Sequence, residues 1–112
     1  MSSMRRKRSK QSADGFVGIL AVDIHFPENG SLKDKRQYLR SIKAGLARKL
    51  GASIAEVGFH DLWQRTRLLV SLCSTSGPET ERALDLALSY LEARDCLISG
   101  IFKEIIKVEG QE

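Results

Sequence analysis

Between residues 16 and 27 the chain reads FVGILAVDIHFP, and its apolar positions alternate. Phe16, Leu20, Val22, Ile24 and Phe26 fall on one face with Gly18 among them, while Val17, Ile19, Ala21, Asp23 and His25 fall on the other. A period of two is that of a half-buried strand, and Pro27 followed by Glu28-Asn29-Gly30 ends it. The period then changes. In SLKDKRQYLRSIKAGLARKLG, Leu32, Leu39, Ile42, Leu46 and Leu50 recur at helical spacing and predict a helix of about five turns. Ser31 with Asp34 three positions later resembles a capping box, and Gly51 fits the stop. Lys35 projects within the apolar sector, so its stem is expected to snorkel along the edge of the core.

SIAEVGF (53–59) predicts a short strand with Ala55, Val57 and Phe59 inward, and TRLLVSLCS (66–74) another with Leu68, Val70 and Leu72 inward. SGPETERALDLALSYLEAR predicts a second helix, with Pro78 at its first position and Leu84, Ala87, Leu88 and Leu91 as its buried stripe. CLISGIFKEIIKVE (96–109) closes the chain as a strand whose alternation slips around Gly100 and again near Ile105-Ile106, the mark of a bulge. The order βαββαβ predicts a ferredoxin-like α+β sandwich: a four-stranded antiparallel sheet, strands one and three central, with two helices on one face. The open face is expected to carry Val17, Ile19, Ala21, Ile54 and Leu69 mixed with Asp23, His25, Glu56, Arg67 and Ser71. A contiguous exposed apolar patch marks a contact surface. A homodimer through this face or an edge strand is one expectation; a terminus folded over it is the other.

Charge divides the chain. The net charge is +4 over 112 residues. Residues 1–15 already sum to +4, from Arg5, Arg6, Lys7, Arg8 and Lys10 against Asp14, and residues 16–112 sum to zero with 13 basic and 13 acidic side chains. The first 15 residues lack periodicity and apolar content, so they predict a disordered basic tail before a folded domain over 16–112. Such a tail serves either as a polyelectrolyte arm for RNA or DNA or as a solubilising extension. The domain, though neutral, is polarised: residues 31–50 hold seven bases and one acid, whereas residues 77–95 hold five acids and two arginines. Lys33, Arg36, Arg40 and Lys43 fall within about one quadrant of the first helix at 100° per residue. That stripe can follow a phosphate backbone. Alternatively, it is a solvated face partly neutralised by the acidic helix beside it.

Chemistry is sparse. Two histidines and no CxxC argue against a metal site, and no nucleophile elbow or phosphate loop is present, so neither cofactor nor catalysis is expected. Asp23 and His25 share one side of the first strand, either as an acid–base pair or as a carboxylate beside a hydrogen-bonded strand-end histidine. Cys73 and Cys96 are expected to be buried thiols in a reducing cytoplasm. No apolar run approaches the roughly 20 residues of a membrane span, and no apolar segment follows the basic N-terminus to make a secretory signal. The only tryptophan, Trp63, stands in the HDLWQR turn beside Asp61, Gln64 and Arg65. Either it folds back as a hydrophobic clamp with Asp61 capping the turn, or it anchors a partner or stacks on a base with Arg65 supplying charge. Asp61, Trp63, Gln64, Arg65 and Ile19 are therefore the candidate partner contacts.

VGILAVDIHFP, SLKDKR, AEV and HDLWQR, in this order and spacing, resemble the bacterial YlxP-like family, a domain of unknown function, over about residues 16–109. Relatives typically carry His-Gln-Asp-Leu-Trp-Gln-Arg, where this chain has Phe59-His60-Asp61. The resemblance implies a ferredoxin-like fold and genes neighbouring those for transcription elongation, translation initiation and ribosome maturation. It implies no activity and no cofactor. Combined with the basic helix and tail, it favours a non-catalytic factor associated with RNA or ribosomal particles. The alternative is a homo-oligomeric interaction or ligand-sensing module acting through the open sheet and the Trp63 hairpin. An enzyme built on Asp23 and His25 ranks third.

Overall fold

The computed structural model describes residues 14–110. Arg5, Arg6, Lys7, Arg8 and Lys10 lie outside the described residues. Six elements follow in order: β1 (Gly15–His25), α1 (Leu32–Leu50), β2 (Ser53–Gly58), β3 (Arg65–Ser74), α2 (Gly77–Glu92) and β4 (Leu97–Val108). Gly15, expected in the tail, opens β1, where it pairs with Val108. The strands form one antiparallel sheet in the order β2-β3-β1-β4, with β1 and β3 central as the crossovers require. Both helices cover the same face, which gives the ferredoxin-like α+β arrangement.

Local chemistry sets the boundaries. Ser31 caps α1 by accepting from the Asp34 N–H, and Gly51 ends it in the left-handed region (φ 64°), its N–H returning to Ala47. Ser76 caps α2 in the same way through the Glu79 N–H, with Pro78 in the first turn. The core is one layer. Leu20, Val22, Ile24 and Phe26 of β1 and its exit meet Leu68, Val70 and Leu72 of β3, beneath Leu39, Ile42 and Leu46 of α1 and Leu84, Ala87 and Leu91 of α2.

Three expectations are corrected. In β2, Ile54 and Glu56 face the helices while Ala55 and Val57 face out. The reason is a polar partner under α1, described below, and a bulge at Val57 that shifts the register between Glu56 and Gly58. The slip in β4 lies only at the Gly100 end, where the register with β1 shifts between Asp23 and Ile24; Ile105 and Ile106 continue the alternation. Cys73 is exposed on the open face and only Cys96 is partly buried, where burial pushes its thiol pKa up.

Gly18 in β1 is where α2 seats. A Cβ there would lie 2.7 Å from Thr80 Cγ2 and 3.1 Å from Leu84 Cδ1. Gly18→Ala is expected to destabilise by about 1–3 kcal/mol through overpacking. This should lower the urea midpoint with m unchanged. A midpoint at or above that of the parent would show that α2 does not rest on this glycine.

Candidate nucleic-acid interface

The two segments SLKDKR and HDLWQR meet in space, and Lys35 is the reason. Its side chain is buried (2 % exposed) and reaches the β2–β3 hairpin. Its Nζ donates to the Phe59 carbonyl at 2.9 Å, to the His60 and Arg65 carbonyls at 3.2 Å each, and pairs with Glu56 Oε2 at 2.8 Å. The expected snorkel is thus overturned: the ammonium goes inward because four oxygens await it there. Burying an unpaired ammonium costs several kcal/mol, and this acceptor set offsets it. Glu56 is held in turn by Thr66 Oγ1 at 2.6 Å and by His60 Nδ1 at 3.2 Å. Burial alone would raise the Glu56 carboxyl, but the hydrogen bonds from Lys35 and Thr66 outweigh it and hold the pKa below the ordinary value.

The hairpin is tied at further points. Asn29 Nδ2 donates to the Trp63 carbonyl at 3.1 Å, Gln64 Nε2 donates to the carbonyls of Pro27 and Asn29, and the Phe26 N–H donates to the Gln64 carbonyl at 2.8 Å. Phe59 takes a left-handed φ of 61°, which costs roughly 1–2 kcal/mol for a residue with a Cβ, in the conformation that presents its carbonyl to Lys35. Loops usually move, but this one is cross-linked to α1 and to the β1–α1 connection.

Each candidate residue can now be placed. Trp63 is 50 % exposed and its indole N–H has no partner among the described residues, so the ring lies outside the buried core. Asp61 and Leu62 are exposed beside it. Gln64 is spent on backbone carbonyls. Arg65 lies over the Phe59 ring, 4.0 Å from its centroid, with Arg67 5.0 Å away, so its charge is not presented beside Trp63 as expected. Ile19 sits half-buried on the open sheet face, opposite Ser71 and Glu104. Lys33, Arg36, Arg40 and Lys43 are exposed, and none forms an ion pair among the described residues. They do not face the acidic helix. Contacts with α2 and its exit come from the opposite flank of α1, where Gly45 abuts Tyr90 and Ser41 accepts from Arg94. Two of the α2 acids, Glu81 and Asp85, are engaged elsewhere, both holding Lys103 of β4.

The acid–base pair does not form. Asp23 is gripped by Arg67 through two contacts, Nε–Oδ1 at 2.6 Å and Nη2–Oδ2 at 3.1 Å, which hold its carboxyl below the ordinary value. His25 has no hydrogen-bond partner among the described residues. This ion pair borders a shallow depression of about 220 Å³ lined by Ala21, Gly100 and Phe102. Beyond it, Ala55, Leu69, Ala21 and Phe102 form one apolar cross-strand row; the next row holds Ser53, Ser71, Ile19 and Glu104, and Val17 with Ile106 lies in the one after.

Fold and geometry together define a ferredoxin-like protein with a hairpin fixed to its basic helix. The chain belongs to the family described as Protein of unknown function (DUF503), which residues 17–98 match. It is 32 % identical over 78 residues to "Uncharacterized protein YlxP" of Bacillus subtilis (strain 168), covering 70 % of this chain and 85 % of that one. Among solved structures it is similar to a mutant of SnoaB, a cofactor-independent oxygenase from Streptomyces nogalater, at a TM-score of 0.41 and 16 % identity, over 89 % of this chain and 96 % of that one. No described helix is long and apolar enough to cross a membrane.

The Glu56 environment fixes a sign. A carboxyl whose pKa is lowered by folding contributes stability above its unfolded value, about 4.3, and loses it as pH falls through the folded value. Glu56→Gln should therefore be less stable at pH 7 and lose less stability between about pH 5 and pH 3, the remaining slope including Asp23. Urea titrations across that range check this; an unchanged acid slope in the variant would refute the assignment.

Proposed function

We propose that the protein is a non-catalytic RNA-binding factor that works on ribosomal particles or their precursors through the basic flank of α1. The observation that carries this reading is the stripe Lys33, Arg36, Arg40 and Lys43: exposed, without ion pairs among the described residues, and turned away from the acidic helix. Spread over about 15 Å of helix at 1.5 Å per residue, it matches an extended polyanion. Each cation that meets a phosphate releases counterions, which supplies affinity without sequence preference. The basic residues before position 14 add to the same electrostatic attraction.

A second reading is favoured by a separate observation, the open sheet face. Leu69, Phe102 and Ile106 are 37 %, 54 % and 40 % exposed on this face, Leu69 and Phe102 in one row on either side of Ala21. We assign this face to a second copy of the chain, since a two-fold axis through it would set the apolar rows against each other. The two readings are compatible, because the basic stripe lies on the helical layer and stays free.

For the first reading, Arg36→Glu with Arg40→Glu should weaken binding of a labelled single-stranded RNA whatever its sequence. The log–log salt dependence should flatten by about 1.4, at about 0.7 per phosphate contact. Fluorescence anisotropy at several salt concentrations reads both; parental protein without salt-sensitive binding would exclude the reading. For the second, Phe102→Lys should convert a dimer into a folded monomer in sedimentation velocity. A parent that stays monomeric at high concentration would remove it.

A further inference from the structure

We propose that Trp63 is a stacking platform for an unpaired base of the RNA strand whose phosphates lie along α1. This inference rests on the RNA reading and names the form of nucleic acid bound: single-stranded, not duplex. The first ground is exposure without looseness. The indole is half exposed and its N–H is unpartnered among the described residues, yet its own carbonyl is held by Asn29 and those of its neighbours Gln64 and Arg65 by Phe26 and Lys35. A large apolar ring on a fixed backbone loses little conformational freedom when a base covers it.

The second ground is placement. Lys35, which holds the hairpin, lies between Lys33 and Arg36, the first two cations of the stripe. Asn29, which holds Trp63, belongs to the connection leading into α1. These bonds hold the Trp63 backbone beside the N-terminal end of α1, where the stripe begins, so a strand following the cations would pass the hairpin that carries the ring. Every base offers a π-face, so stacking adds affinity without requiring one sequence. In an intact duplex the bases are already stacked and the ring has nothing to cover.

Because Trp63 is the only tryptophan, its fluorescence reports the contact directly. The full chain is titrated with a short single-stranded oligoadenylate, the DNA strand of matching sequence, and an RNA duplex of equal length, while anisotropy of a label on the nucleic acid follows binding independently. The single strands should quench Trp63, and the duplex should bind through the stripe without quenching. Trp63→Ala should lose about tenfold or more in affinity for the single strand, a typical effect of removing one base–aromatic stack, and nothing for the duplex. Trp63→Phe should recover part of the loss. An unchanged thermal melt for Trp63→Ala confirms that the half-exposed ring is not holding the fold. Equal quenching by RNA and DNA identifies any single strand as the ligand and supports the inference. Salt-sensitive binding without quenching, or with Trp63→Ala as tight as the parent, overturns the stacking role and leaves the RNA reading standing. Absence of binding in every arm overturns both.

Discussion

A single buried ammonium organises the hairpin end of this molecule. Lys35 carries its charge beneath α1 and divides its protons among three backbone carbonyls and the Glu56 carboxylate. Each contact on its own is ordinary. Together they bind one helix to both ends of a hairpin, because Phe59 and His60 lie on its entry side and Arg65 begins β3. A carbonyl aimed at a buried cation has no cheap alternative partner, so the hairpin conformation follows from the presence of the charge. The left-handed Phe59 and the inward Glu56 both contact the same Nζ, and the bulge at Val57 lies between them in sequence.

That arrangement separates the surface into regions with different physics. The flank of α1 carrying Lys33, Arg36, Arg40 and Lys43 is cationic and without internal partners among the described residues, while the acids Glu81 and Asp85 serve Lys103 on the far edge. The open sheet face carries apolar rows at Ala21 and Val17 with Ser71 and Glu104 between them, and Asp23 and Arg67 neutralise one another at its border. The hairpin, held beside the N-terminal end of α1, contributes a half-exposed indole. The resulting surface suits contact with an extended anion and, independently, with another apolar face.

Much of the fold is legible in the sequence because burial writes a period. β1 alternates without interruption, and both helices carry a clear apolar stripe between recognisable caps. β2 is misread because it is short and its inward face includes a carboxylate: alternation of Ala55, Val57 and Phe59 outweighs Ile54 and Glu56 when no partner for Glu56 is in view. The signal that could have corrected it was Lys35 itself. A lysine in the apolar sector of a helix needs a buried acceptor, and Glu56 sits in the strand that follows. The site was legible in part. The stripe follows from the 100° rotation per residue, but the direction it faces depends on which flank of α1 meets α2, information carried by Gly45 and Tyr90 only once they touch. Pairing of Asp23 with Arg67 was equally out of reach, since cross-strand register decides it.

The central claim is that Lys35 fixes the hairpin to the helix, and native-state hydrogen exchange on Lys35→Met tests it most directly. Methionine keeps an unbranched stem and removes the charge. The account predicts that the amides of Leu62, which donates within the hairpin, and Phe26, which donates to Gln64, lose protection while those at the centre of β1 keep theirs. Hairpin amides as well protected in Lys35→Met as in the parent would contradict it.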